Sequence, residues 1–395
     1  MPATRLIAVI GGTGAQGIPV VRDLVKSGNY TVRALTRDTT NARFKELQSY
    51  GPVEGVVGTF ASEESLRATF RGAWGAFVNI DGFNSGEKTE IFWTIRAWEL
   101  AIEEGVKFFV LGNLDYAYKL SGFRPEFHAG HYDGKGRIGE WILAQNKDAL
   151  VRDRMRSALF TTGPYIEMTL GAGTPFCPTV EDGVAIWRVP LANGAVPFVA
   201  LVRMRKPSFE PTFYFSVNQL PSGLTFRSND DCGHYVKWLF DQGPDGADGL
   251  DLRVAVDHIT FDEYTRAFTK VTGKPARWID TDLDKHMTAT WGSKADDPAG
   301  YNAPPDDPST MSLRSNFTAF FQLWRNSGDN KGIIRRDYQL LDKIHPQRIR
   351  TAEEWLVKEN AKGLRLGLGS LWDRVQPENI GHVLKITEDG RSGSI

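Results

Sequence analysis

The segment Leu6-Ile7-Ala8-Val9-Ile10-Gly11-Gly12-Thr13-Gly14-Ala15-Gln16-Gly17 constrains the fold more than any other stretch of the chain. A short apolar run ends abruptly in spaced glycines, and helix-forming sequence follows. That order predicts a strand, a tight turn and a helix start. Gly11 or Gly12 permits the sharp turn, Gly14 lets backbone N–H groups approach a phosphate, and Gly17 lets the helix pack close to the strand. Thr13, Ala15 and Gln16 complete a loop toward which the helix N-terminus turns its positive dipole. Such a loop cradles the pyrophosphate of a dinucleotide.

Beyond this turn, apolar runs and helical spacings alternate. Strands are expected at Thr31–Thr36, Val53–Val57, Ala76–Ile80, Lys107–Leu111 and Ser157–Thr162. Helices are expected at residues 18–27, 41–50, 62–71, 87–105 and 135–146. This rhythm predicts a Rossmann-type α/β fold, a doubly wound parallel sheet with right-handed crossovers. After residue 165 the pattern changes to Gly- and Pro-rich stretches, short β-like runs and later helices, among them residues 260–272 with a Thr260/Glu263 capping box. The expected organisation is a dinucleotide-binding domain over 1–165 and a smaller mixed α+β substrate lobe over 166–366, interleaved with the first. An aromatic insertion falls at about 202–227 and a weakly patterned, draped tail at 367–395.

The composition excludes several classes. With 47 Lys and Arg against 48 Asp and Glu, no basic stripe marks nucleic acid and no charge block marks a membrane surface. No stretch reaches the roughly 18 apolar residues of a membrane span, and no secretory leader is expected. Cys177 and Cys232 give no disulfide framework and read as buried thiols in a reducing, cytoplasmic setting. The sequons at Asn29 and Asn316 are then chance matches.

Cofactor choice is read at the end of the second strand, where NAD-selective sites carry Asp or Glu for the ribose 2′-OH. Here the strand ends Leu35-Thr36-Arg37-Asp38. Arg37 stands where a guanidinium can pair bidentately with a 2′-phosphate, which favours NADP (NADPH). Asp38, one position on, is the alternative that would serve NAD.

With the glycine segment and Val32-Arg33-Ala34-Leu35-Thr36-Arg37 in register, the chain resembles the NmrA-like branch of the atypical short-chain dehydrogenases, related to isoflavone-reductase-like proteins. His131-Tyr132-Asp133-Gly134-Lys135-Gly136 with Glu140 is similar to that family's His-x-x-x-Lys-x-x-x-Glu stretch, and Gly163-Pro164-Tyr165-Ile166-Glu167 to its Pro-x-Tyr-x-Glu-Asn stretch. The resemblance implies NADP(H) binding, with reduction of small organic substrates in some members and redox sensing in others. Three positions depart from it: Asn113 stands where many relatives have Ser, Thr59 and Phe60 where they have an adenine-facing Asp, and Met168 where they have Asn.

None of the 11 tyrosines has Lys four residues on, so the Tyr-x-x-x-Lys arrangement of common short-chain dehydrogenases is absent. The resemblance assigns acid/base work to a lysine opening the helix after strand five, which Lys135 matches. At a helix N-terminus within a cleft, dipole and desolvation disfavour an ammonium. Lys135 either transfers a proton or only holds the nicotinamide ribose. His131, with Gly134 arguing against a continuous helix to Lys135, either relays protons or contacts substrate. Tyr165 either orients a carbonyl at the nicotinamide face or simply packs. Asn79, Ile80 and Asp81 close strand four, and Gly112 and Asn113 are expected in the loop after strand five, both at the carboxyl edge where ligands bind. Asn113 either contacts substrate or caps its turn.

His128 and His131 have metal-ligand spacing but no evident third ligand, so no metal is expected. Trp187, Phe209, Phe213, Tyr214 and Phe215 either line a pocket for a bulky, flat substrate or pack in an ordinary core with one lid. The expected function is NADP-dependent reduction of a carbonyl, imine or activated C=C, with a possible homodimer. A non-catalytic NADPH/NADP sensor and a redox-neutral isomerase or cyclase are the alternatives.

Overall fold

A computed structural model describes residues 4–201, 231–300, 302–303 and 306–382. The first half alternates β1 (Arg5–Ile10), α1 (Gly17–Lys26), β2 (Tyr30–Thr36), α2 (Ala42–Gln48), β3 (Val53–Val57), α3 (Glu63–Phe70), β4 (Gly75–Val78), α4 (Gly82–Ser85), α5 (Glu87–Glu103), β5 (Phe108–Leu114), α6 (Ala117–Leu120), α7 (Gly130–Gln145), α8 (Ala149–Arg152) and β6 (Arg156–Thr162). The second half contributes β7 (Thr179–Glu181), β8 (Val184–Arg188), β9 (Val196–Phe198), α9 (Asp231–Gly246), β10 (Asp251–Arg253), β11 (Asp257–Ile259), α10 (Phe261–Thr272), β12 (Ala276–Ile279), α11 (Leu283–Trp291), α12 (Leu313–Arg325), α13 (Tyr338–Ile344), α14 (Ala352–Arg365) and α15 (Leu371–Arg374).

Seven strands form one sheet in the order β10-β6-β5-β4-β1-β2-β3, every neighbouring pair parallel. Ile7 to Ile10 are buried, as a central parallel strand covered on both faces must be. One face is covered by α1 and α9 through Val20, Val21, Leu24, Val236, Leu239 and Phe240. The other is covered by α3, α5 and α7 through Leu66, Phe70, Leu100, Ile138 and Ile142. The order reverses between β1 and β4, so a crevice opens at the carboxyl ends of those strands.

A second core, with Trp187, Phe198, Phe261, Tyr264, Trp324 and Trp355, supports the smaller lobe and its two short sheets. The predicted capping box forms: the Thr260 hydroxyl accepts from Glu263 N–H while the Glu263 carboxylate reaches back to Thr260 N–H. Residues past 165 also build the first unit, since β10 extends the large sheet beside β6 and α9 packs against α1.

The structure corrects several expectations. β5 does not stop at Leu111: Gly112 and Asn113 stay in the strand because they pair with Phe160 and Thr161 of β6. Helix α7 starts at Gly130, not at Lys135, and runs unbroken through Gly134. The Cβ it lacks at Gly136 would overlap the Tyr116 backbone, and one at Gly139 would lie 2.9 Å from Asn113 Oδ1. These glycines are therefore read better as close-packing positions than as helix breakers. The expected draped tail packs in part, with Leu371 and Val375 buried and Ala172 N–H donating to Gly381 C=O at 3.0 Å. Cys177 is partly exposed while Cys232 is buried. The aromatic insertion at 202–227, with Phe209, Phe213, Tyr214 and Phe215, lies outside the described residues.

One buried cation joins the strand ends. Arg336 forms a bidentate pair with Asp115, directly after β5, at 2.9 and 2.7 Å. The same guanidinium donates to Thr162 C=O at the end of β6 (3.2 Å) and to Val254 C=O after β10 (3.1 Å). Both side chains have no exposed surface. Removing one partner leaves an uncompensated buried charge, so Asp115→Ala should cost about 3–5 kcal/mol in urea unfolding. A loss below about 1 kcal/mol, the range of solvated pairs, would contradict this account.

Candidate functional site

The crevice at the carboxyl edge is a cavity of about 370 Å³. It is lined by Gly11, Thr13, Gly14, Ala15, Gln16 and Arg37, by Thr59 and Phe60 after the edge strand β3, by Asn79, Ile80, Gly112 and Asn113, and by His131, Lys135 and Tyr165. Gly17 lies beneath the loop: a Cβ there would overlap Gly11 O and come within 2.7 Å of Gly12 Cα. The loop is held by Gly14 N–H donating to Gly11 C=O at 2.9 Å and by Arg43, whose Nη1 donates to Thr13 C=O at 3.2 Å. Gln16 caps α1 without a side-chain bond to the first-turn N–H groups. A tight glycine cradle and a helix start facing it fit the diphosphate of a nicotinamide dinucleotide.

Lys135 sits in the second turn of α7, so the expected position at the helix N-terminus is corrected. Its Nζ lies 2.5 Å from Glu90 Oε1, donates to Ile80 C=O at 2.6 Å and to Asn79 Oδ1 at 3.1 Å. The last two are hydrogen bonds, while Glu90 meets the ammonium as an ion pair and neither of its carboxylate oxygens is hydrogen-bonded among the described residues. Asn79 in turn donates to Gln16 Oε1 at 2.7 Å, so the lysine is linked to the glycine loop. Nothing in the sequence marks Glu90, which sits in the first turn of α5 and is 1% exposed. Burial holds its carboxyl above the usual carboxylate range, and the Lys135 ammonium opposes that rise.

The other candidates have definite roles. Asn113 Nδ2 donates to Thr161 Oγ1 at 2.9 Å, so that donor is committed within the sheet. Burial pushes the Tyr165 phenol well up, which leaves it a neutral hydroxyl group. Burial pushes His131 down to about 4, against the opposing effect of its bond to Asn316, so its ring is neutral near pH 7. Thr59 Oγ1 accepts from Ala61 N–H at 3.2 Å, closing the turn after β3. Trp187 does not line the cavity: it is fully buried in the lobe core and donates to Thr169 C=O at 2.9 Å. The aromatic wall comes instead from Phe83, Trp291, Phe317 and Phe320, on elements far apart in sequence.

His128 Nδ1 lies 2.8 Å from Asp133 Oδ2, and that oxygen also accepts from Ala129 N–H at 2.9 Å, tying down the start of α7. Among the described residues no group of three or more His, Cys, Asp or Glu could hold a metal ion. Nor, among them, is any helix long and apolar enough to cross a membrane.

Fold and cavity together define a Rossmann-type protein with a glycine-loop crevice opening onto an aromatic chamber. Residues 3–286 match the NmrA-like family, and the chain belongs to it. It is 28% identical over 288 residues to the NmrA-like family domain-containing oxidoreductase hkm9 of Aspergillus hancockii, covering 70% of this chain and 76% of that one. It shares its fold with NmrA, a negative transcriptional regulator crystallised with NAD (TM-score 0.61, 15% identity, 91% of this chain and 98% of that one). The fold is also that of the NADPH-dependent quinone oxidoreductase QOR2 of Escherichia coli complexed with NADPH (TM-score 0.57, 17% identity, 88% and 98%).

Burial pushes His131, His258, His286 and His345 each down to about 4. In the unfolded chain they titrate near 6.5, so below that value the unfolded state binds more protons. Their contribution is complete above about pH 6.5 and is lost as pH falls toward about 4. By scanning calorimetry, the Tm of His258→Gln relative to the parent protein should therefore rise as pH falls from 7 to 5. A difference that stays constant with pH would contradict this.

Proposed function

We propose that this chain is an NADPH-dependent reductase of a flat aromatic small molecule, acting on a carbonyl, imine or activated C=C, with Lys135 as acid/base. The observation that carries this reading is the placement of Lys135. Its ammonium, backed by the buried Glu90, borders the same cavity as the glycine loop and the aromatic wall. Two similar proteins, the oxidoreductase hkm9 and the quinone oxidoreductase QOR2, support oxidoreductase chemistry, and Arg37 supports the phosphorylated nucleotide.

NADPH, when bound, supplies a hydride to the substrate carbon. Gly11 to Gln16 hold its diphosphate, Arg37 its 2′-phosphate, and Asn79 and Ile80 border the chamber beyond. Lys135 delivers a proton from Nζ to the heteroatom or carbon that gains the electron pair, and solvent then restores that proton. Its contact with Asn79 Oδ1, the longest of the three, is the one the substrate replaces. Glu90 keeps the amine in place throughout. Tyr165, as a neutral hydroxyl, orients the reacting group.

The sensor reading draws on NmrA, the transcriptional regulator with the same fold. An aromatic chamber next to a buried ion pair favours turnover instead, because a sensor of the nucleotide alone has no use for it.

Lys135→Met should lower the rate of NADPH oxidation with a panel of quinones, enones and cyclic imines at least about a hundredfold, with little change in NADPH affinity. An unchanged rate would remove Lys135 from the mechanism, and tight NADPH binding with no turnover on any member would favour the sensor. Arg37→Ala should weaken NADPH far more than NADH by titration calorimetry; equal weakening would overturn the choice of NADP.

A further inference from the structure

His131 is the polar member of the aromatic wall. Its ring centroid lies 4.6 Å from Phe83, 5.5 Å from Phe317 and 5.6 Å from Phe320. Trp291 packs 4.5 Å from Phe317 on the far side. Within this apolar surround the imidazole has one polar side-chain partner, Asn316 of α12, which is 1% exposed and stands behind the wall.

The geometry of that partner determines where the imidazole proton sits. Asn316 Oδ1 lies 2.9 Å from His131 Nδ1 and 3.4 Å from the His131 peptide nitrogen. A peptide N–H can only donate, so the shared amide atom is the oxygen. Turning the amide over would set its NH2 against that N–H. Nδ1 therefore donates as well, and in a neutral ring the lone pair falls on Nε2. Nε2 has no protein partner among the described residues, and the ring borders the cavity.

We infer that His131 Nε2 is a fixed hydrogen-bond acceptor for the substrate, and that the chamber selects aromatic molecules carrying an N–H or O–H on the ring system. The inference rests on the reading that this chamber receives the substrate. It narrows that reading from flat aromatics in general to donors such as indoles and phenols. An acceptor held in an apolar surround discriminates strongly, because a ligand lacking the donor leaves it buried and unpaired. The same tautomer removes His131 as a proton donor, leaving that task to Lys135.

Titration calorimetry on NADPH-saturated protein with indole and N-methylindole tests this. Indole should bind about tenfold tighter, the size of one hydrogen bond, despite the extra methyl of its rival. His131→Phe should abolish the preference while keeping affinity for N-methylindole, and Asn316→Ala should reduce it by releasing the tautomer. No preference in the parent protein, no binding of either probe, or a preference that survives in His131→Phe would overturn the inference. Long-range ¹H–¹⁵N spectra of the histidine-labelled parent protein give a reading free of mutation. A protonated Nδ1 and bare Nε2 are expected, and a proton on Nε2 would overturn it. Failure of the reductase proposal shows separately, as absent NADPH binding or absent NADPH oxidation.

Discussion

The close approach of α7 to β5 is the constraint on which the rest depends. Gly136 and Gly139 remove the side chains that would hold the helix away from Tyr116 and Asn113. Lys135 and His131, one turn apart on α7, are thereby carried to the carboxyl edge of the sheet. Lys135 then reaches Asn79 and Ile80 after β4 and Glu90 on α5. His131 reaches the rings of α4 and α12. A bulkier residue at either glycine would displace both groups together, because they share one rigid helix.

Two electrostatic regimes lie a few ångströms apart in this cavity. Around Lys135 the neighbours are oxygens, two of them hydrogen-bonded to its ammonium and one ion-paired, and Asn79 extends the network to Gln16. Around His131 the surround is hydrocarbon and aromatic, which keeps the imidazole uncharged. The division follows the boundary between α5 on one side and α12 on the other.

The sheet was legible from residue patterns because a parallel core strand is a short apolar run and a phosphate loop needs glycine at set spacings. The glycine spacing likewise marked the Gly11–Gln16 loop, which lines the crevice. Other features depend on distant partners. The extent of β5 is set by pairing with β6, and the start of α7 by tertiary contacts that offset the low helix propensity of its glycines. Glu90 is chemically ordinary until Lys135 lies beside it, and Asn316 looked only like a stray sequon. The aromatic wall draws Phe83, Trp291 and Phe317 from separate elements, whereas Trp187, which looked equivalent, packs into the lobe core.

Arg336 gathers the ends of β5, β6 and β10 at one point. Asp115, Thr162 and Val254 precede it in the chain by 221, 174 and 82 residues, so the buried carboxylate takes its counter-charge from a segment far downstream. Domains assemble largely from the amino terminus as they emerge. This one fastens the ends of three neighbouring strands with a single side chain from far downstream.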